Sequence, residues 1–357
     1  MLAARTGDGQ SATDVVARVK RDVLGRGYVG GMTTVSDQTT RPGAVAGGLD
    51  FDLPFIVRGR DNLVLIGLAA FNRDSAGAAT GSHYRFVVDD PNDHADLVTR
   101  FDRFDAAYDP ALGFVLQNGI YRWAGNMAIT PRPNTLTVIR RFEFNLLEYE
   151  AVWTLDRRLD NASLTVQPFG ATVQTGDRVE LQFTRRFDAP VMPFNIVPSV
   201  TIGPGEYWFD RAEVRYNGST VRRWTVNASA SAGHFYDGTR TDLALSGVLR
   251  RQPHVELSLD YTRNDVSLPA GLFVVNTLRL RGDYAASPRL TAAVFVQYDD
   301  QSDRAAVHAR VRWTTSPGSD LYVVWNNTWP TGLDRGIAWD RPLRGGLVAK
   351  YVRFFRY

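Results

Sequence analysis

The sequence predicts an all-β chain: one large antiparallel up-and-down transmembrane β-barrel of about 16 strands, occupying residues 1–357 as a single domain. Three observations lead there. Long segments alternate apolar and polar residues without a miss. Turn residues separate these segments. The final segment places aromatic and aliphatic residues on alternate positions.

The alternation begins near the start, where Val15, Ala17 and Val19 interleave with Arg18, Lys20 and Asp22. Residues 63–70 break the rule by being apolar on both faces, as in a strand packed against another element as well as one facing lipid. Farther on, Trp224, Val226, Ala228, Ala230 and Ala232 alternate with Thr225, Asn227, Ser229 and Ser231. Val255, Leu257, Leu259 and Tyr261 alternate with Glu256, Ser258, Asp260 and Thr262. Leu278, Leu280 and Tyr284 alternate with Thr277, Arg279, Arg281 and Asp283. Ala305, Val307, Ala309, Val311 and Trp313 alternate with Arg304, His308, Arg310, Arg312 and Thr314. A period of two is the signature of a strand with one apolar face. Segments near ten residues have the length that a tilted strand needs to cross a bilayer.

Asn217-Gly218-Ser219, Asp237-Gly238-Thr239, Ala286-Ser287-Pro288 and Ser316-Pro317-Gly318-Ser319 read as hairpin turns. Less regular stretches at 89–96, 106–118, 188–205 and 329–343 read as longer loops. At about 21–22 residues per strand and turn, the chain holds about 16 strands.

Hydropathy does not argue against a membrane. Apolar residues make up 44% and mean hydropathy is −0.22, the average that alternation produces in a transmembrane barrel. No run approaches the ~20 apolar residues of a membrane helix, which excludes a helical membrane protein. The 41 basic and 38 acidic residues leave a charge of +3, too balanced to draw nucleic acid. Only Lys20 and Lys350 are lysines, and cysteine is absent. Aromatics at strand ends, Tyr261, Tyr284, Tyr298, Trp313, Trp325 and Trp329, sit where interfacial girdles would place them. A soluble sandwich or propeller also has half-dry strands, but its strands are shorter than these, typically about 5–6 residues.

Leu347, Ala349, Tyr351, Phe355 and Tyr357 occupy alternate positions. This is the pattern of a last strand read by the barrel-assembly machinery, interrupted by Arg353 on the apolar face. Met1–Gly7 has no charged segment followed by an apolar one, so a secretory signal is expected upstream of this chain.

The run Pro317-Gly318-Ser319-Asp320-Leu321-Tyr322-Val323-Val324-Trp325-Asn326 resembles the penultimate-strand motif of the DUF5916 proteins, an uncharacterised barrel family. Gly233-His234-Phe235-Tyr236-Asp237-Gly238, Leu268-Pro269-Ala270-Gly271-Leu272-Phe273 and Pro110-Ala111-Leu112-Gly113-Phe114 also resemble it. Ala3–Gly7 and Arg18–Asp22 are similar to an interior stretch of that family. The resemblance implies a secreted precursor: a domain like the family 9 carbohydrate-binding modules, followed by an outer-membrane barrel. It implies that the binding module and the first strand or two lie upstream of this chain. The expected role is an anchor or conduit associated with saccharide, with outer-membrane lipid as the surroundings.

No motif implies a cofactor or metal. The five histidines, His83, His94, His234, His254 and His308, lie outside any His-Glu-x-x-His arrangement, and there is no thiolate. Asp89, Asp90, Asp93 and His94 form an acidic-plus-His cluster that could activate water in a barrel-embedded hydrolase, although the same residues compose an ordinary turn. Expected on the polar lumen face are Glu256, Asp260, Arg279, Arg281, Asp283, His308, Arg310 and Arg312, which either pair across strands or line a channel. A soluble glycan-binding β protein, using exposed tryptophans such as Trp208, Trp325 and Trp329, is the remaining alternative.

Overall fold

The computed structural model describes residues 2–7, 11–38, 41–57, 61–73, 80–92, 94–332, 336–338 and 340–354. Among them 76% are strand and none is helical. The first half holds β1 (Leu2–Gly7), β2 (Ser11–Val23), β3 (Gly27–Gln38), β4 (Arg41–Val57), β5 (Asp61–Arg73), β6 (Gly81–Pro91), β7 (Ala95–Phe104), β8 (Ile120–Ile129), β9 (Ile139–Phe142), β10 (Phe144–Thr154), β11 (Leu159–Val173) and β12 (Arg178–Asp188). The second holds β13 (Phe194–Val197), β14 (Val200–Ile202), β15 (Tyr207–Asn217), β16 (Trp224–Phe235), β17 (Gly238–Arg251), β18 (Val255–Leu268), β19 (Gly271–Ser287), β20 (Leu290–Asp299), β21 (Arg304–Ser316), β22 (Ser319–Gly332), β23 (Gly336–Ile337) and β24 (Arg344–Val352).

Twenty of these strands form an antiparallel up-and-down sheet in which each pairs with its neighbour along the chain. β9 carries β10 onward against β11 beyond Glu143, β23 pairs with the end of β22, and β13–β14 is a separate hairpin. Within the described residues β1 and β24 are the sheet's edges, and no ladder joins them.

The expected strand number was too low. Strands starting at Gly238, Val255, Gly271, Leu290, Arg304 and Ser319 come 14 to 19 residues apart, less than the 21–22 assumed. Turns of two to four residues explain the difference, since each strand runs almost to the reversal. Two stretches read as loops contain strand: 89–96 is mostly the end of β6 and the start of β7, and the 329–343 stretch begins with the last four residues of β22 and includes β23. Within 188–205 lies the β13–β14 hairpin, whereas 105–119 contains no strand.

Register places the alternating residues as the sequence implied. One row runs Trp224, Leu249, Leu257, Gly282, Val294, Ala309, Trp325, Leu347 across β16–β24. It starts at the first residue of β16 and reaches the seventh of β22. The row thus climbs relative to the turns, the stagger that accompanies tilted, curling sheets.

On β7, β12 and β17 the two faces differ in exposure in the reverse of the usual sense, whereas on β18, β19 and β21 charged residues such as Glu256, Arg281 and Arg310 are exposed along with the apolar ones. On β17, Leu243, Leu245 and Leu249 are exposed while Arg240, Asp242 and Ser246 are half-buried. On β12, Phe183 is 45% exposed and Glu180 3%. On β7, Leu97 and Phe101 are exposed and Asp102 is 1% exposed. A water-soluble sheet would do the opposite.

Connections 105–119, 189–206 and 333–343 all leave the same end of the sheet, and 130–138 is the longest at the opposite end. At that shorter-turn end Asp177 clasps neighbouring turns. It accepts hydrogen bonds from Thr175 Oγ1 (2.5 Å), Tyr216 Oη (3.0 Å), the Ser219 amide (3.1 Å) and Arg222 Nη1 (2.8 Å). These donors, Thr175 and Arg222 foremost, hold its carboxyl far below the usual carboxylate range. A depressed carboxyl stabilises the fold above its unfolded value, about 3.9, and the gain is lost as pH falls through the folded value. Hydrogen exchange at the Ser219 amide should therefore stay protected from pH 7 to about 4 and lose protection only in stronger acid. Asp177→Asn should expose the same amide at pH 7; equal protection in both proteins would show that the clasp is unimportant.

Candidate functional site: the inner polar face

The polar face carries a nearly continuous series of ion pairs. Arg18 donates to Asp50 across β2–β4 (2.7 Å), and Arg122 on β8 pairs with Glu150 on β10. Glu143 accepts from Arg141 Nε and Thr172 Oγ1, both at 2.6 Å, and forms an ion pair with Arg178, whose Nε lies 2.6 Å away. Arg178 also meets Glu180, and Arg215 lies 3.7 Å from Glu180 and 2.8 Å from Glu213. Asp242 on β17 joins Arg211 from β15 and Arg240. Strand alternation explains the series: every second side chain points inward, and antiparallel register sets opposite charges side by side.

The eight residues expected to line a lumen all fall on this face. Glu256 stands opposite Asp283, Asp260 opposite Arg279, and Arg281 opposite Phe295, which faces His308. Arg310 is opposite Ala293, and Arg312 opposite Thr291. Several are paired. Arg281 donates to Asp283 (2.6 Å), Arg312 to Asp320 (3.1 Å), and Arg250 lies 3.3 Å from Glu256. His308 Nδ1 contacts Asn326 Oδ1. Among the described residues Arg279, Arg310 and Asp260 have no side-chain partner. Paired and unpartnered charges thus share one face of the sheet.

Loop 105–119 returns over the inner face of β2–β11 and roofs a cavity of about 750 Å³. Asn72 on β5 fastens it, accepting from the Asp109 amide (3.2 Å) and donating to the Asp109 carbonyl (3.3 Å), while Arg41 donates to the same carbonyl (2.6 Å). Ion pairs Arg18–Asp50 and Arg122–Glu150 line the cavity, with Tyr28, Ile66, Leu68 and Phe114. This accounts for the apolar inner face of β5: Ile66, Leu68 and Ala70 face loop residues Leu112, Phe114 and Leu116 across the cavity.

A buried cluster forms the cavity's edge. His83 Nε2 lies 3.0 Å from Asp102 Oδ1, Arg85 Nε donates to the same oxygen (2.6 Å), and Arg100 lies 3.1 Å from Oδ2. The His83 ring stacks on Phe104 at 3.9 Å between centroids, with Tyr108 beside it. Burial pushes the Tyr108 phenol above its ordinary value, so it stays neutral. The cluster was not singled out from sequence, because its partners lie 17 to 19 residues apart on two strands, β6 and β7, whose junction reads as loop. A signal was present in the inward series His83, Arg85, Val87.

A second element covers the inner face at the same end. Val197, Val200 and Ile202 of the β13–β14 region pack with Val266 and Leu268 of β18, joined by Tyr207, Phe235, Tyr236 and Phe273.

Of the acidic cluster at 89–94, Asp93 lies outside the described residues. Asp89 is on the inner face of β6, opposite Val98, whereas Asp90 is on the outer one, opposite Leu97. His94 is exposed in the turn, and among the described residues its imidazole has no carboxylate partner. No group of three or more metal-ligating side chains occurs among the described residues. The terminal alternation holds where it is described: Leu347, Ala349 and Tyr351 share the outer face, and Arg353 lies beyond the end of β24. Phe355 and Tyr357 lie outside the described residues.

No family model matches the chain, and no curated protein is found to be similar to it. Function must therefore be argued from the geometry.

Asp102→Ala removes an acceptor of two charge-assisted hydrogen bonds, worth about 3 kcal/mol together. The unfolding midpoint of the protein in urea should fall accordingly. An unchanged midpoint would show that β6 and β7 are held without this network.

Proposed function

We propose that this chain is the outer-membrane β-barrel region of a DUF5916-like protein, serving as an anchor or conduit for saccharide-associated traffic across the bacterial outer membrane. The observation that carries the reading is the reversed sidedness: exposed Leu243, Phe183 and Phe101 on one face, buried Glu180 and Asp102 on the other. A sheet with an apolar exterior and an ionic interior suits lipid outside and water inside. In this reading the tilt and stagger bring the sheet edges together. The end bearing 105–119, 189–206 and 333–343 faces the cell exterior and the shorter-turn end faces the periplasm, as in other outer-membrane barrels.

Two covering elements narrow the outer mouth. The 105–119 loop encloses a cavity of about 750 Å³, within the range of about 300–1,000 Å³ of ligand sites. Its mixture of aromatic walls and paired charges suits a small polar solute such as a saccharide. The periplasmic end presents β24 to the assembly machinery.

Refolded into detergent, the full chain should run on SDS gels at a different apparent mass before and after boiling, and expressed with a secretion signal it should be recovered with outer membranes. Leu243→Arg, at an outward position, should cost about 2–4 kcal/mol of stability in lipid, whereas Ser246→Arg on the inner face should be tolerated. Migration at full mass without heating, from a detergent-free soluble fraction, would reject the barrel. In planar bilayers a conduit should conduct, and deleting 110–118 should raise the conductance severalfold; an inserted but silent protein selects the anchor role.

A further inference from the structure

The outer face of β16–β20 contains a trough where its two central rows lose their side chains. The rows run Trp224, Leu249, Leu257, Gly282, Val294 and Val226, Gly247, Leu259, Leu280, Val296. Glycines at diagonal positions, 247 and 282, leave a volume of about 500 Å³ walled by those large residues.

Nothing in the fold requires glycine at Gly247. Its backbone has no positive φ, and a Cβ added there would find its nearest neighbour, the Thr225 carbonyl oxygen, at 3.9 Å. At Gly282 an added Cβ would meet only the tip of Leu257, at 3.2 Å. Glycine in a strand interior weakens the strand, so the two positions trade stability for a depression. Five strands at about 4.8 Å spacing make the trough about 19 Å across. One leaflet of a hydrocarbon core about 30 Å thick needs an acyl chain of about 15 Å.

At the shorter-turn end of the trough the next outward residue on β17 after Leu249 is Arg251. It is exposed and has no ion-pair partner among the described residues. Val255 stands directly opposite, and Tyr284 beyond it. Arg222 stacks over Trp224 at 5.4 Å, with its own charge committed to Asp177. The apolar depression therefore ends at an exposed, unpaired Arg251 on the outer face, with Tyr284 two strands away and Trp224 on the adjacent strand.

We propose that this trough binds an anionic phospholipid, one acyl chain lying in the depression and the phosphate pairing with Arg251. The proposal rests on the reading that this face meets lipid. Native mass spectrometry of the full chain, titrated in detergent with phosphatidylglycerol or phosphatidylcholine of identical chains, provides the test. The unmodified protein should retain phosphatidylglycerol in preference by about fivefold, the effect of one basic residue near an anionic surface. Arg251→Gln should abolish the preference while still retaining lipid. Gly247→Leu, whose Cβ has open space and whose side chain would occupy the trough, should reduce retention of both lipids. Equal adducts in all three proteins would overturn the site. A protein that folds and shows heat-dependent migration yet lacks the preference rejects the lipid site alone, whereas one that is soluble without detergent rejects the membrane reading beneath it.

Discussion

Everything in this molecule depends on lateral hydrogen bonding between strands that could not be stable singly. A strand that shows leucine on one face and arginine on the other finds partners for its amides and carbonyls in the strands beside it. The twenty-strand meander satisfies that demand with the shortest reversals available. Long strands and tight turns follow from one requirement.

The same requirement explains how charge is handled. Charged side chains are crowded on the polar face, and antiparallel pairing places donors beside acceptors. Glu143, Glu180 and Asp102 are nearly inaccessible and each meets two or more guanidinium groups. Removing a buried carboxylate from such a group would leave arginines without compensation. Arg279, Arg310 and Asp260 lack side-chain partners among the described residues, so the second half of the sheet carries uncommitted charges on its polar face.

The elements that close over the inner face depart from this pattern. The largest fully buried side chain of the described residues, Val200, lies in the β14 hairpin. Its cluster with Val266 and Leu268 is a hydrophobic core built inside the curve of the sheet. Loop 105–119 is instead held by polar clasps at Asn72 and Arg41, and Phe114 and Leu116 stay exposed. A packed cover on β15–β19 and a tethered cover over a cavity on β2–β11 make the two halves unlike each other.

Period-two patterning by itself determined which residues share a face. From Val15 and Val19 to Leu347 and Tyr351, the assignment follows from a strand geometry that sends successive side chains to opposite sides. The eight polar residues from Glu256 to Arg312 were legible for that reason. Strand number was not, because two-residue turns such as Pro288–Arg289 leave almost no mark between segments. The cavity, the Asp102 cluster and the glycine trough were beyond the sequence too. Each depends on which distant residues the register sets side by side: Ala70 beside His83, His83 beside Phe104, Leu257 beside Gly282. Alternation fixes a side chain's face, but its neighbours are chosen by cross-strand hydrogen bonds, and those exist only once the sheet has formed.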